Sequence, residues 1–157
     1  MIRIGILSDT HGHLDPQIGV LFQGVDHIFH AGDIGPTSIL DRLSTIAPVS
    51  AVRGNTDWQL DLPETIVKSI GEKKFIIHHI ISIGDTRQPI YRRLRREAPD
   101  AVIFGHTHQS QKHITDDCLF LNSGYAGAPR PQTRRSVAIL TIESEQALKA
   151  EIIELGG

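Results

Sequence analysis

Ile2-Arg3-Ile4-Gly5-Ile6-Leu7-Ser8-Asp9-Thr10-His11 decides how the chain is read. Apolar residues alternate at Ile2, Ile4 and Ile6, the period of a strand, and two residues able to hold a metal follow at once. The same grammar repeats downstream. Val25 to Ala31 predicts a second strand and runs into Gly32-Asp33. Val49 to Val52 predicts a third and runs into Gly54-Asn55. Lys74 to Ile77 precedes His78, and Ala101 to Phe104 precedes Gly105-His106-Thr107-His108.

Helical spacing fills the intervals. Leu14, Ile18, Leu21 and Phe22 predict an amphipathic helix over 15–23, stopped by Gly24. Ile39, Leu40, Leu43 and Ile46 predict a second, opened near Pro36 and ended before Pro48. A third is predicted over 89–97, with Ile90, Tyr91, Leu94 and Ala98 inward. Glu64 to Ile70 pairs with Lys74 to Ile77 around Gly71-Glu72, and 79–87 is ambiguous. The remainder is strand-rich: 111–115, 119–122, 137–143 and 147–155. Strands alternating with helices, then a run of strands, predict a layered α/β fold with a second sheet packed on the first. No repeat, linker or low-complexity segment divides the chain, so one domain over 1–157 is expected.

Composition narrows the function. Of 157 residues, 39% are hydrophobic and 22% charged, which suits a soluble globule with its own core. A formal net charge of −2 does not point to nucleic acid. A single cysteine, Cys118, rules out an internal disulfide and reads as a small buried residue. The first apolar run is too short for a signal peptide, and no stretch approaches the roughly 20 residues of a membrane helix. A cytoplasmic protein without membrane attachment is the expectation, with a homo-oligomer left open.

In open α/β sheets, ligands gather beyond the carboxyl ends of the strands. Asp9, His11, Asp33, Asn55, His78, His106 and His108 would therefore converge on one rim. A glycine before the ligand, as at Gly32, Gly54 and Gly105, lets the chain turn sharply near an ion. Carboxylate and amide oxygens with imidazole nitrogens and no thiolate suit Mn²⁺, Fe, Co²⁺, Ni²⁺ or Zn²⁺, with Mn²⁺ the leading expectation. Seven donors exceed one tetrahedral ion and fit two ions sharing a carboxylate. Such a pair can clamp the attacking and leaving oxygens of a phosphoryl group. Two cations against two aspartates and a hydroxide leave the site positive, ready for a phosphoester.

Ser8-Asp9-Thr10-His11-Gly12, His30-Ala31-Gly32-Asp33, Arg53-Gly54-Asn55-Thr56-Asp57 and Gly105-His106-Thr107-His108 resemble, in this order, the calcineurin-like metallophosphoesterases, and most closely their small YfcE-type phosphodiesterase branch. The resemblance spans about Ile4 to Arg130. It implies a four-layer αββα sandwich of two mixed β-sheets flanked by helices. It also implies one ion on Asp9, His11, Asp33 and His108, and another on Asp33, Asn55, His78 and His106. Asp33 would bridge, and a bridging hydroxide would attack phosphorus. All seven are then the catalytic as well as the metal residues.

Three positions depart from the family pattern. Thr56 stands where larger relatives place a histidine that helps the leaving group depart. His78-His79 replaces His-Gly, so His79 is an alternative to His78. Asn122-Ser123-Gly124 replaces Asn-Pro-Gly. The implied reaction is phosphodiester hydrolysis of a small substrate. The alternative is a non-catalytic interaction scaffold like the retromer subunit Vps29. His30 is a candidate for supporting the ligands, Asp57 for orienting a ligand or the nucleophile or bracing its loop, and Trp58 for bordering the pocket or packing in the core. Arg53 and Arg130 are weaker candidates for contacting substrate phosphate. His13, His27, His113 and the run Arg92, Arg93, Arg95, Arg96 read as loop or surface residues.

Overall fold

A computed structural model describes residues 1–144 and 147–156. Residues 145, 146 and 157, which the one-domain expectation includes, lie outside the described residues. Among the described residues, ten strands and three helices follow in the order β1 (Ile2–Leu7), α1 (Pro16–Leu21), β2 (His27–His30), α2 (Ser38–Ser44), β3 (Val49–Ala51), β4 (Thr65–Ile70), β5 (Lys73–His78), α3 (Pro89–Glu97), β6 (Ala101–Phe104), β7 (Gln111–Thr115), β8 (Cys118–Asn122), β9 (Ser136–Ser144) and β10 (Ala147–Glu154).

The strands form two mixed five-stranded sheets, β10-β9-β1-β2-β3 and β4-β5-β6-β8-β7. In the first, β1, β2 and β3 run parallel and β9 and β10 complete an antiparallel side. In the second, β5, β6 and β8 run parallel, with antiparallel β4 and β7 at the edges. Two sets of three parallel strands thus send their carboxyl ends to one end of the molecule.

Side-chain alternation explains the layers. Ile4 and Ile6 of β1, with Phe29 and Leu140 of the same sheet, face the second sheet, where they meet Phe75, Ile77, Ile103 and Leu121. Leu7 faces the other way, onto Ile18 and Phe22 of the α1 segment and Ile39 and Leu43 of α2. Ile76, Val102, Phe104 and Phe120 face outward from the second sheet onto Ile90 and Leu94 of α3. Three apolar interfaces separate four layers, helix, sheet, sheet, helix, as the resemblance implied.

Local chemistry sets the helix ends. Asp15 caps α1 by accepting from Gln17 N–H at 2.8 Å, and Pro16 occupies the first turn. Ala98, expected on the inward face of α3, instead ends it. It is exposed and left-handed at φ 47°, and Pro99, having no N–H, cannot extend the helix. The ambiguous stretch 79–87 is a loop clamped by Gln88, whose carboxamide bonds both backbone groups of Ser82 at 3.0 and 2.7 Å.

Candidate metal centre

Loops from both sheets converge at the carboxyl ends of the parallel strands. The β1 loop carries Asp9 and His11, the β2 loop Asp33 and the β3 loop Asn55. The second sheet supplies a histidine after β5 and two after β6. Among the described residues, two groups have ligand atoms within 4.8 Å of one another: Asp9, His11 and His108, and Asp33, His79 and His106.

His79, not His78, is the histidine of its pair that the structure brings to the cluster. Ile77 faces the other sheet and Ile76 faces α3. By alternation His78 shares the face of Ile76 and His79 that of Ile77. His78 Nδ1 lies 2.8 Å from the Thr65 hydroxyl, its partner across β4. His79 donates Nδ1–H to the Ala31 carbonyl at 2.7 Å, which turns Nε2 toward Asp33 Oδ2 at 3.2 Å and Asn55 Oδ1 at 3.1 Å. A carbonyl on one ring nitrogen is how proteins commonly fix a ligating imidazole. The other six sequence candidates stand together as expected.

Asp33 joins the two groups. Its Oδ2 lies 3.7 Å from His11 Nε2 and 3.2 Å from His79 Nε2, while Oδ1 accepts the Thr56 N–H at 3.0 Å. Asn55 Oδ1 lies 3.1 Å from His106 Nδ1. Asp9 Oδ2 accepts from the Ser8 hydroxyl and from His106 N–H at 3.1 Å. Asp9 Oδ1 is fully buried, has no hydrogen-bond partner among the described residues, and lies 3.3 Å from His108 Nε2 and 3.8 Å from His11 Nε2.

These donors fit divalent cations. Two ligands about 2.1 Å from one ion stand roughly 3 Å apart at a right angle, the separation seen here. A buried, orphaned carboxylate oxygen ringed by imidazoles is costly unless a cation completes it. The environment also pulls charge apart. Burial pushes Asp33 up, but hydrogen bonds from His79 and Thr56 outweigh it and hold the carboxyl below the usual range. Burial pushes His79 down, but Asp33 and Asp9 raise it overall. His108 is lowered, by burial first, with Arg130 and His11 adding to it.

The backbone is bent for the purpose. Asp9, His11, Asp33, His106 and His108 all have positive φ, between 46° and 75°, a region non-glycine residues seldom enter. Such conformations persist only where surroundings over-determine them. Asp57 supplies part of that hold. Its buried carboxylate accepts from Ile34, Gly35 and Gly54 N–H at 2.8–3.3 Å, tying the Asp33 loop to the Asn55 loop. It braces the loops rather than orienting a ligand side chain. A Cβ on Gly54 would collide with the Asp33 carboxylate, which explains the glycine there. His30, fully buried, spans Thr10 Oγ1 at 3.0 Å and Gly32 N–H at 3.1 Å and so fixes both carboxylate loops. Asn122 donates to Gly105 O and Thr107 Oγ1, shaping the His106–His108 turn.

Other expectations resolve plainly. Trp58 is 83% exposed and takes no part in the core. His27 bonds Ser50, and His113 lies exposed on β7. Arg53 pairs with Glu64 at 3.1 Å beside a groove of about 180 Å³ that reaches Asn55 and His79. Sequence reasoning passed over Tyr125, whose ring packs 5.0 Å from His108 and 6.4 Å from His11. Its one signal was position, just past the end of β8, where the other parallel strands place their site residues.

Comparison with known proteins gives the family and the fold. The sequence model of the calcineurin-like phosphoesterase superfamily domain matches residues 2–145. A probable metallophosphoesterase of Methanothermobacter thermautotrophicus is 36% identical, the alignment covering 98% of this chain and 92% of that one. A phosphodiesterase of Methanocaldococcus jannaschii is 29% identical over 78% of this chain and 83% of its own. Wild-type Vps29 of Entamoeba histolytica, solved in complex with zinc, shares the fold at a TM-score of 0.74 and 25% identity, over 98% and 99% of the two chains. Motif order, fold and family match converge: the chain belongs to the calcineurin-like phosphoesterase superfamily.

Proposed function

We propose that this protein hydrolyses small phosphodiesters with two divalent cations, Mn²⁺ first among them. Asp9, His11, Asp33 and His108 would hold one ion, and Asp33, Asn55, His79 and His106 the other. The observation that carries the reading is Asp33 Oδ2, which faces an imidazole of each ligand group, beside the orphaned Asp9 Oδ1. Bound there, the cations supply an acidified water and positive charge against the phosphoryl oxygens.

The chain's own groups do the rest. The Ala31 carbonyl points His79 Nε2 inward, and Ser8 with the His106 N–H holds the Asp9 carboxylate so that one oxygen faces the site. His11 and His108 are part-exposed, so the centre opens to solvent and a substrate reaches it without a lid. Position 56 carries a threonine, whose backbone N–H is given to Asp33, in place of an imidazole. No imidazole from that position aids departure, so good leaving groups are favoured.

The alternative, a scaffold like Vps29, shares the fold. Since Vps29 has been solved with zinc, ion binding alone does not separate the two. Turnover does. Elemental analysis of purified protein is expected to give two ions per chain, with bis-p-nitrophenyl phosphate hydrolysed in Mn²⁺ and not in chelator. Bound ions with no turnover would move the protein to the scaffold reading.

A further inference from the structure

A groove of about 500 Å³ begins at Thr107 and His108 and runs past Ser110 to Arg130, Thr133 and Arg134. Every side chain lining it is polar: hydroxyls, carboxamides, an imidazole and two guanidiniums, with no carboxylate and no wholly apolar side chain. Ligand sites are ordinarily lined mostly by apolar side chains. The chain carries 18 acidic residues against 16 lysines and arginines, so a carboxylate-free cationic wall is a local feature rather than an overall bias.

The two arginines are available to a ligand. Arg130 has no carboxylate partner among the described residues. Its guanidinium donates to His108 Nδ1 and lies 4.1 Å from the centre of the Tyr125 ring. The ring holds the guanidinium plane while several N–H groups stay free. Arg134 meets Glu154 at 3.6 Å, but its side chain is 91% exposed, and so open a pair holds it weakly. Guanidiniums with hydroxyl and amide donors are the chemistry that recognises a phosphate.

We infer that this groove binds a phosphate monoester carried by the substrate on one side of the scissile phosphodiester. The inference rests on the hydrolase reading and narrows it: the substrate class is a phosphodiester bearing a second, terminal phosphate.

The test uses two esters with the same leaving group, thymidine 5′-(p-nitrophenyl phosphate) with and without a 3′-phosphate, assayed in Mn²⁺. The 3′-phosphate is expected to raise kcat/KM about tenfold or more, and Arg130→Gln or Arg134→Gln to erase most of that ratio. In parallel, thymidine 3′,5′-bisphosphate is titrated calorimetrically into protein in EDTA. Its Kd is expected to weaken about tenfold in each variant. Manganese content and melting temperature check that the variants are intact, and Arg134→Gln avoids disturbing His108. Turnover with a ratio near one, together with bisphosphate binding indifferent to both substitutions, overturns the groove alone. No turnover of either ester, with bisphosphate binding lost in the variants, overturns the hydrolase reading and leaves the anion groove standing.

Discussion

His78 and His79 are neighbours with opposite fates. One ends β5 against Thr65 and the other reaches the carboxylates. His79→Ala is expected to lower the metal content from two ions toward one and turnover by about a hundredfold. His78→Ala is expected to keep both ions, as elemental analysis and the bis-p-nitrophenyl phosphate assay will read. Loss of metal in His78→Ala alone would reverse the assignment. Asp33→Asn is expected to abolish metal binding and turnover together, since an amide offers no equivalent charge to two cations. The placement of six of the seven proposed ligands was legible because each lies within four residues of the end of an apolar run. The seventh was not, for a physical reason. Strand β5 is apolar on both faces, with Phe75 and Ile77 toward one layer and Ile76 toward the other, so the sequence shows no alternation from which to tell where the next residue points.

Elements were legible where a single pattern dominates, as in β1, β2, β6 and α3. They were less so where distant residues set the end or the packing. Gly5 is an instance: a Cβ there would lie 2.8 Å from the Phe22 ring, so strand and helix pack through a glycine that reads as a weakness in the strand pattern. Gly5→Ala is expected to cost about 1–3 kcal/mol in urea unfolding while leaving metal content unchanged. The cap of α1 is likewise tied from afar. Arg135 bonds Asp15 and the Gly127 carbonyl, both side chains being buried, across 120 residues of sequence. Arg135→Met would leave the Asp15 carboxylate buried without its cation, at a cost of about 3 kcal/mol by the same measurement.

For the whole molecule, layering was foreseeable but sheet order was not. Nothing local says that β8 inserts between β6 and β7, because cross-strand partners are chosen by the assembled core. Global stability should also respond to pH through His30. Burial, with the neighbouring charge of His79, pushes its imidazole from 6.5 down to about 3. The unfolded chain therefore binds a proton that the folded one refuses. The contribution is complete above pH 6.5 and drains as pH falls toward 3, by about 1.4 kcal/mol per pH unit. In EDTA, wild type is expected to lose about 2 kcal/mol more than His30→Gln between pH 7.5 and pH 5. Equal losses in urea titrations would refute it.

The proposed ligands come from both sheets: Asp9, His11, Asp33 and Asn55 from loops of one, His79, His106 and His108 from loops of the other. Cations seated among them would act as rivets through the sandwich, since neither half could peel away without surrendering a full shell of donors. Mn²⁺ at a hundredfold excess over its Kd should then add about 2.7 kcal/mol per site against unfolding, raising Tm with a single sharp transition. A chelator would loosen the seam first at its rim, where five left-handed residues stand under backbone tension that bound ions would help to contain.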